Sequence, residues 1–89
     1  MELEEQARRG DQAAKLMEHP LLVEAFDLIE QDIRDKWADS PARDVEGREH
    51  LWTQLRLLRR LKGQIQFVAE SGKVAKQSLL QRAAQAIRR

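Results

Sequence analysis

The sequence predicts an all-α fold, an antiparallel helical hairpin with short flanking N- and C-terminal helices, in one domain over residues 1–89. Three observations point there. Apolar residues recur at helical spacing along two long segments. The four glycines and two prolines sit mostly where such segments should end. The chain is 35% charged, 42% hydrophobic and 4% aromatic, which suits a helix-rich chain rather than a β-sandwich or a disordered one.

The elements follow in order. Leu3 and Ala7 begin a weakly periodic N-terminal helix, which Gly10-Asp11 should interrupt or cap. "QAAKLMEHP" then carries Ala13, Ala14, Leu16 and Met17. Pro20 disfavours helical geometry at His19 and suits the first turn of a new helix, so a break is expected at His19-Pro20.

In "PLLVEAFDLIEQDIRDKW", Leu22, Phe26, Ile29 and Ile33 make one helical face. Ala25 and Trp37 widen it, and Leu21 and Leu28 lie towards its edge. Glu24, Asp27, Asp32 and Asp35 fill most of the remainder, giving an acidic amphipathic helix. "ADSPARD" is the connection. Ser40 before Pro41 reads as cap and first turn, with Asp44 as the alternative cap. A short link between two long helices argues for antiparallel neighbours, with a hairpin core over about residues 20–71.

The next helix should run from Pro41 or Asp44 to near Ser71. Leu51, Leu58 and Ile65 are seven apart, as are Gln54, Leu61 and Val68, and Leu55 extends this seam. The pattern is long enough for hairpin packing and too short to prove a coiled coil. Gly72 is the expected stop. A basic last helix follows over about residues 73–88, with Val74, Leu79, Leu80, Ala83 and Ile87 apolar. Its charges, Lys73, Lys76, Arg82, Arg88 and Arg89, are all positive.

Charge is unevenly distributed. Residues 1–50 hold seven Lys/Arg and fourteen Asp/Glu, whereas residues 51–89 hold nine Lys/Arg and one acid, Glu70. Those halves carry −7 and +8, which sum to the net +1. Such asymmetry suggests an interaction role for the basic half. Its partner could be nucleic acid or the acidic half of another copy, or the two halves could neutralise each other within one chain.

The long helix is amphipathic twice over. With Trp52 at zero and about 100° per residue, Arg56 falls near 40°, Arg59 near −20°, Arg60 near 80° and Phe67 near 60°. Gly63 leaves a notch in this second stripe, and the leucine seam lies on the far side. Phosphate contact and protein docking both suit a Trp–Arg stripe. The plain alternative is that a terminal helix folds back over Trp52 and Phe67. The basic C-terminal helix could equally be a solvated tail.

Catalytic chemistry has few candidates. The chain contains no Cys and no Tyr, and its two histidines, His19 and His50, are far apart in sequence. His19 suits capping at its junction, and His50 lies beside the seam. The pairs Asp32/Asp35 and Glu46/Glu49 read as solvated helix faces rather than metal ligands. With no P-loop and no di-iron Glu-x-x-His motif, the expectation is a non-enzymatic protein without cofactor, metal or small-molecule substrate. No apolar run approaches the ~20 residues of a membrane span, and the apolar face of the C-terminal helix is largely alanine, so a membrane partner is not expected. The opening "MELEEQARRG" is acidic and polar, unlike a secretory signal, so cytosolic synthesis is expected.

Three stretches, "AAKLMEHPLLVEAFDLIEQDIRDKW", "SPARDVEGREHLWTQLRLLRRL" and "VAESGKVA", carry a likeness over roughly residues 8–76. The cues are the Glu18-His19-Pro20-Leu21-Leu22 junction, the helix start from Asp44 to Glu49, and Glu70-Ser71-Gly72-Lys73. In these the chain resembles small all-helical proteins of tailed bacteriophages encoded among packaging and head genes. The resemblance implies a virion or packaging context, in which small helical proteins work as multimers, and brings no site residues with it.

The first expectation is therefore an assembly protein that forms a homo-oligomer or docks on a larger virion protein. It would act in the host cytoplasm during assembly, with the virion as a second location. The second is a DNA-binding packaging component, resembling a small terminase, or a regulator. The third is an inhibitor of a host defence system. The expected interface residues are Trp52, Arg56, Arg59, Arg60, Phe67, Lys73, Lys76, Arg82, Arg88 and Arg89.

Overall fold

The computed structural model describes residues 2–88, without the side chain of Arg88. Arg89 and the Arg88 side chain, both expected as basic contacts, lie outside the described residues. The described chain is all-helical, with no strand: α1 spans Leu3–Glu18, α2 spans Pro20–Asp39 and α3 spans Val45–Arg88.

The junctions are set by local chemistry. His19 takes extended backbone angles (φ −67°, ψ 121°) and N-caps α2. Its Nδ1 accepts a hydrogen bond from the Leu21 N–H at 3.2 Å. Pro20 occupies the first helical position, where its missing donor costs nothing. At the far end Ser40 closes α2, its N–H and hydroxyl donating to the Trp37 carbonyl at 3.2 and 2.6 Å. Asp44 then caps α3 through the Gly47 N–H, which donates to Oδ1 at 3.1 Å. The cap of the long helix is thus Asp44, and Ser40 serves the preceding helix.

Two expected boundaries do not occur. α1 passes through Gly10-Asp11 without interruption, and α3 continues through Gly72, so the expected stop and separate C-terminal helix are one helix with what precedes them. No glycine among the described residues has positive φ, so Gly72 does not make the left-handed turn that ends helices. Its role is close approach. A Cβ on Gly72 would run into the Gly10 Cα and lie 3.1 Å from the Gln6 carbonyl oxygen. A Cβ on Gly10 would lie 3.0 Å from the Gly72 nitrogen and 3.2 Å from the Val68 oxygen.

The chain packs as two units. The first joins α1 to the part of α3 from Gln64 onward. Its buried residues are small, namely Ala7, Gly10, Ala13, Gly72 and Ala75. An ion pair between Asp11 and Lys76 flanks the glycine contact.

The second unit joins α2 to α3 as far as Gly63. Phe26 and Ile33 are its buried residues, with Leu22, Glu30, Leu51, Leu55, Leu58 and Lys62 half-buried around them. Two seam positions differ from expectation. Ile29 is exposed and Glu30 turns inward, while Leu61 is exposed and Lys62 fills the seam. The cause is ionic. Glu30 meets Arg59 at 3.1 Å, and the half-buried Lys62 has its ammonium 5.9 Å from the Phe26 ring centroid.

Candidate interaction site

The site is built on the second unit. Trp52 lies on α3, 56% exposed. Arg56 is one turn further along, and its guanidinium sits over the indole with Cζ 4.8 Å from the ring centroid. That cation–π contact leaves more than half of the Trp52 surface exposed. Thr53, Leu57, Arg59 and Arg60 complete a shallow groove beside it. Among the described residues, neither Arg56 nor Arg60 has a carboxylate partner.

Arg59 is differently placed. Its Nη2 donates to Glu30 Oε1 at 3.1 Å, and Arg34 reaches the same oxygen at 3.1 Å. The Arg59 hydrogen bond, aided by the charges of Arg34, Arg59 and Lys62, holds the Glu30 carboxyl below its ordinary value against the opposing effect of desolvation. Of the four expected α3 residues in this unit, Arg59 therefore braces α2 against α3, while Trp52, Arg56 and Arg60 face outward.

A second tryptophan adjoins the first. Trp37, Trp52, Ile33, Arg34, Leu51 and Leu55 line an open cleft of about 280 Å³. Only one of these six is charged. The volume falls just short of the range of small-molecule pockets and suits an inserted side chain. Trp37 is held by Arg48, whose Cζ lies 4.2 Å from the ring centroid. Arg48 Nη1 also donates to the Ser40 carbonyl and hydroxyl oxygens at 3.3 and 3.2 Å. Sequence reasoning missed Arg48. The available signal was its phase, because Arg48 stands three residues before Leu51 and continues the seam with a cation.

The remaining expected residues fall in the other unit. Phe67 is exposed and lines a groove with Gln6, Arg9, Gln64, Val68 and Ser71. Lys76 pairs with Asp11, and Lys73 pairs with Glu70 at 3.2 Å. Arg82 is exposed.

Both imidazoles have local partners. His19 caps α2, and His50 Nε2 lies 3.0 Å from the Gln54 amide nitrogen. Among the described residues no group of three or more His, Cys, Asp or Glu is placed to hold a metal ion. No described helix is long and apolar enough to cross a membrane. Comparisons with protein-family models, with curated proteins and with solved structures give no match to this chain.

Proposed function

We propose that this chain is a non-enzymatic interaction protein of bacteriophage assembly, acting in the host cytoplasm and in the virion, that docks on a larger virion component. The docking surface is the Trp52–Arg56–Arg60 side of α3, presented by an antiparallel hairpin of α2 with the first part of α3. The carrying observation is an indole 56% exposed with a guanidinium over it, beside a second cation that has no carboxylate partner. Tryptophan and arginine are the residues that most often anchor protein interfaces. Support for the hairpin comes from three cross-helix pairs, Trp37–Arg48, Glu30–Arg59 and Phe26–Lys62, whose order along α2 is the reverse of their order along α3.

Charge narrows the partner. Four arginines, Arg34, Arg56, Arg59 and Arg60, crowd this side, and Glu30 pairs with two of them. A surface with that excess favours an acidic partner and disfavours a copy of itself. The test is a titration of Trp52 emission in a Trp37→Phe background with poly-glutamate, a probe for an acidic protein surface. A saturable change that weakens on Arg56→Glu with Arg60→Glu supports the reading, and no change overturns it.

The same unpaired guanidinium groups favour one second reading, contact with nucleic-acid phosphates. Random duplex DNA in the same titration separates the two. Phosphate contact requires an affinity that falls steeply and linearly on a log–log plot against salt.

A further inference from the structure

Next to the Trp52 groove the α2–α3 pair carries a different surface. Ile29, Ile33, Leu57, Leu58 and Leu61 line a groove there, with Asp32, Lys36 and Gln54 at its rim. Ile33 is the one residue common to this groove and the Trp37–Trp52 cleft, and Leu57 is the one it shares with the groove beside Trp52. Helical spacing extends the apolar strip along α2 through Leu28, Ala25 and Leu21. Leu21, Leu28, Ile29, Leu57 and Leu61 are each 50–70% exposed. By contrast, Phe26 and Ile33 are the only buried hydrophobic residues of this unit. It therefore leaves more large apolar side chains in water than it buries.

We infer that this leucine–isoleucine flank is the site where a second copy of the chain docks, across a two-fold axis, to complete a four-helix core. Two features identify the occupant as a copy. The first is charge. Asp32 and Lys36 are the ionised residues lining the groove, and they pair with each other at 3.0 Å. The groove itself is thus locally neutral, and apposing it to itself brings no like-charge clash there, unlike the arginine-rich side.

The second feature is area. The five exposed residues together present roughly 550 Å², and a two-fold contact that covers them fully buries about 1,100 Å², just above the ~1,000 Å² that a specific interface clears. A pair of helices this short is also of the size that association commonly completes. The inference does not rest on the docking role of Trp52. Trp52, Arg56 and Arg60 do not line this groove, which leaves them to a further partner.

Sedimentation equilibrium on the full chain tests it. The expected mass at tens of micromolar is twice the 10.4 kDa of one chain. Leu57→Asp with Leu61→Asp should raise the dimer dissociation constant by more than about a hundredfold while far-UV circular dichroism stays helical. Trp52→Ala should leave the mass doubled. Ile29→Glu, on the other helix, gives an independent reading and should also yield monomer.

A wild-type monomer at hundreds of micromolar overturns the inference whatever the variants do. So does a dimer that survives both sets of substitutions. Loss of helicity in both variants overturns it too, because those side chains would then be needed inside one chain. A monomer that still binds poly-glutamate would leave the docking reading standing alone.

Discussion

Arg59 Nη2 lies 3.1 Å from Glu30 Oε1, the same oxygen that Arg34 reaches from one turn along α2. One carboxylate thus gathers two guanidinium groups and joins α2 to α3. A strip of arginines on a helix invites reading as a single binding surface. This contact divides it into a brace, Arg59, and outward groups, Arg56 and Arg60.

The brace makes a pH prediction. The Glu30 carboxyl titrates below its ordinary value of 4.5 when folded, chiefly through the Arg59 hydrogen bond. A lowered folded pKa contributes stability that is fully present above the unfolded value and is lost as pH falls through the folded one. Wild type should therefore melt higher than Glu30→Gln at pH 7. The gap should close as pH drops below 4.5, and equal melting temperatures across the whole range would refute the brace.

Two glycines should respond oppositely to the same change. A Cβ on Gly63 would meet nothing within 4 Å, so Gly63→Ala should stabilise by about 0.5–1 kcal/mol through helix propensity. Gly72→Ala gains the same propensity but drives a methyl into the Gly10 backbone. A net loss of about 1–3 kcal/mol is expected from overpacking. Thermal melts of the two variants check this, and stabilisation by both would show that α1 does not pack closely on Gly72.

Arg48 should matter more to structure than a surface arginine does. Arg48→Met keeps the stem and removes the stack on Trp37 and both bonds to Ser40. A cost of about 1–2 kcal/mol is expected. Trp37 emission, followed in a Trp52→Phe background, should shift to the red as the ring loses its cover. Asp44→Ala, which removes the α3 cap, should cost about 1 kcal/mol.

Much of the architecture was legible in the residues. The break at His19-Pro20, the acidic amphipathic α2 and the link through "ADSPARD" follow from proline geometry, periodicity and capping, which are local. His19 was legible as a cap because its neighbours already dictated a helix start. Gly10 and Gly72 were not legible as a contact. Glycine serves both helix stops and close helix approach, and the distinction lies in a partner more than sixty residues away. A signal was nevertheless present, since the alternation of threes and fours through 51, 55, 58, 62, 65, 69 and 72 puts Gly72 on the inner seam of the long helix.

The candidate site was legible in part. Trp52, Arg56 and Arg60 face outward as their helical angles require. The capture of Arg59 by Glu30 was hidden because Glu30 lies one residue from Ile29, which seemed to own the inner position by apolarity alone. Which of two adjacent residues turns inward depended on the cations awaiting it across the interface. The leucine flank was missed for a related reason. Leu21 and Leu28 read as the edge of the α2 face and Leu61 as part of the α3 seam, so the strip they form with Leu57 shows only once the helices are paired.

The function proposed for the protein rests on contact through the outward tryptophan and its two arginines. The most direct measurement follows Trp52 emission in Trp37→Phe protein as poly-glutamate is added, beside the same protein carrying Arg56→Glu and Arg60→Glu. The account predicts a saturable emission change whose midpoint rises by more than about tenfold on charge reversal, with helicity unchanged. An emission that does not respond, or that responds equally in both proteins, would contradict it.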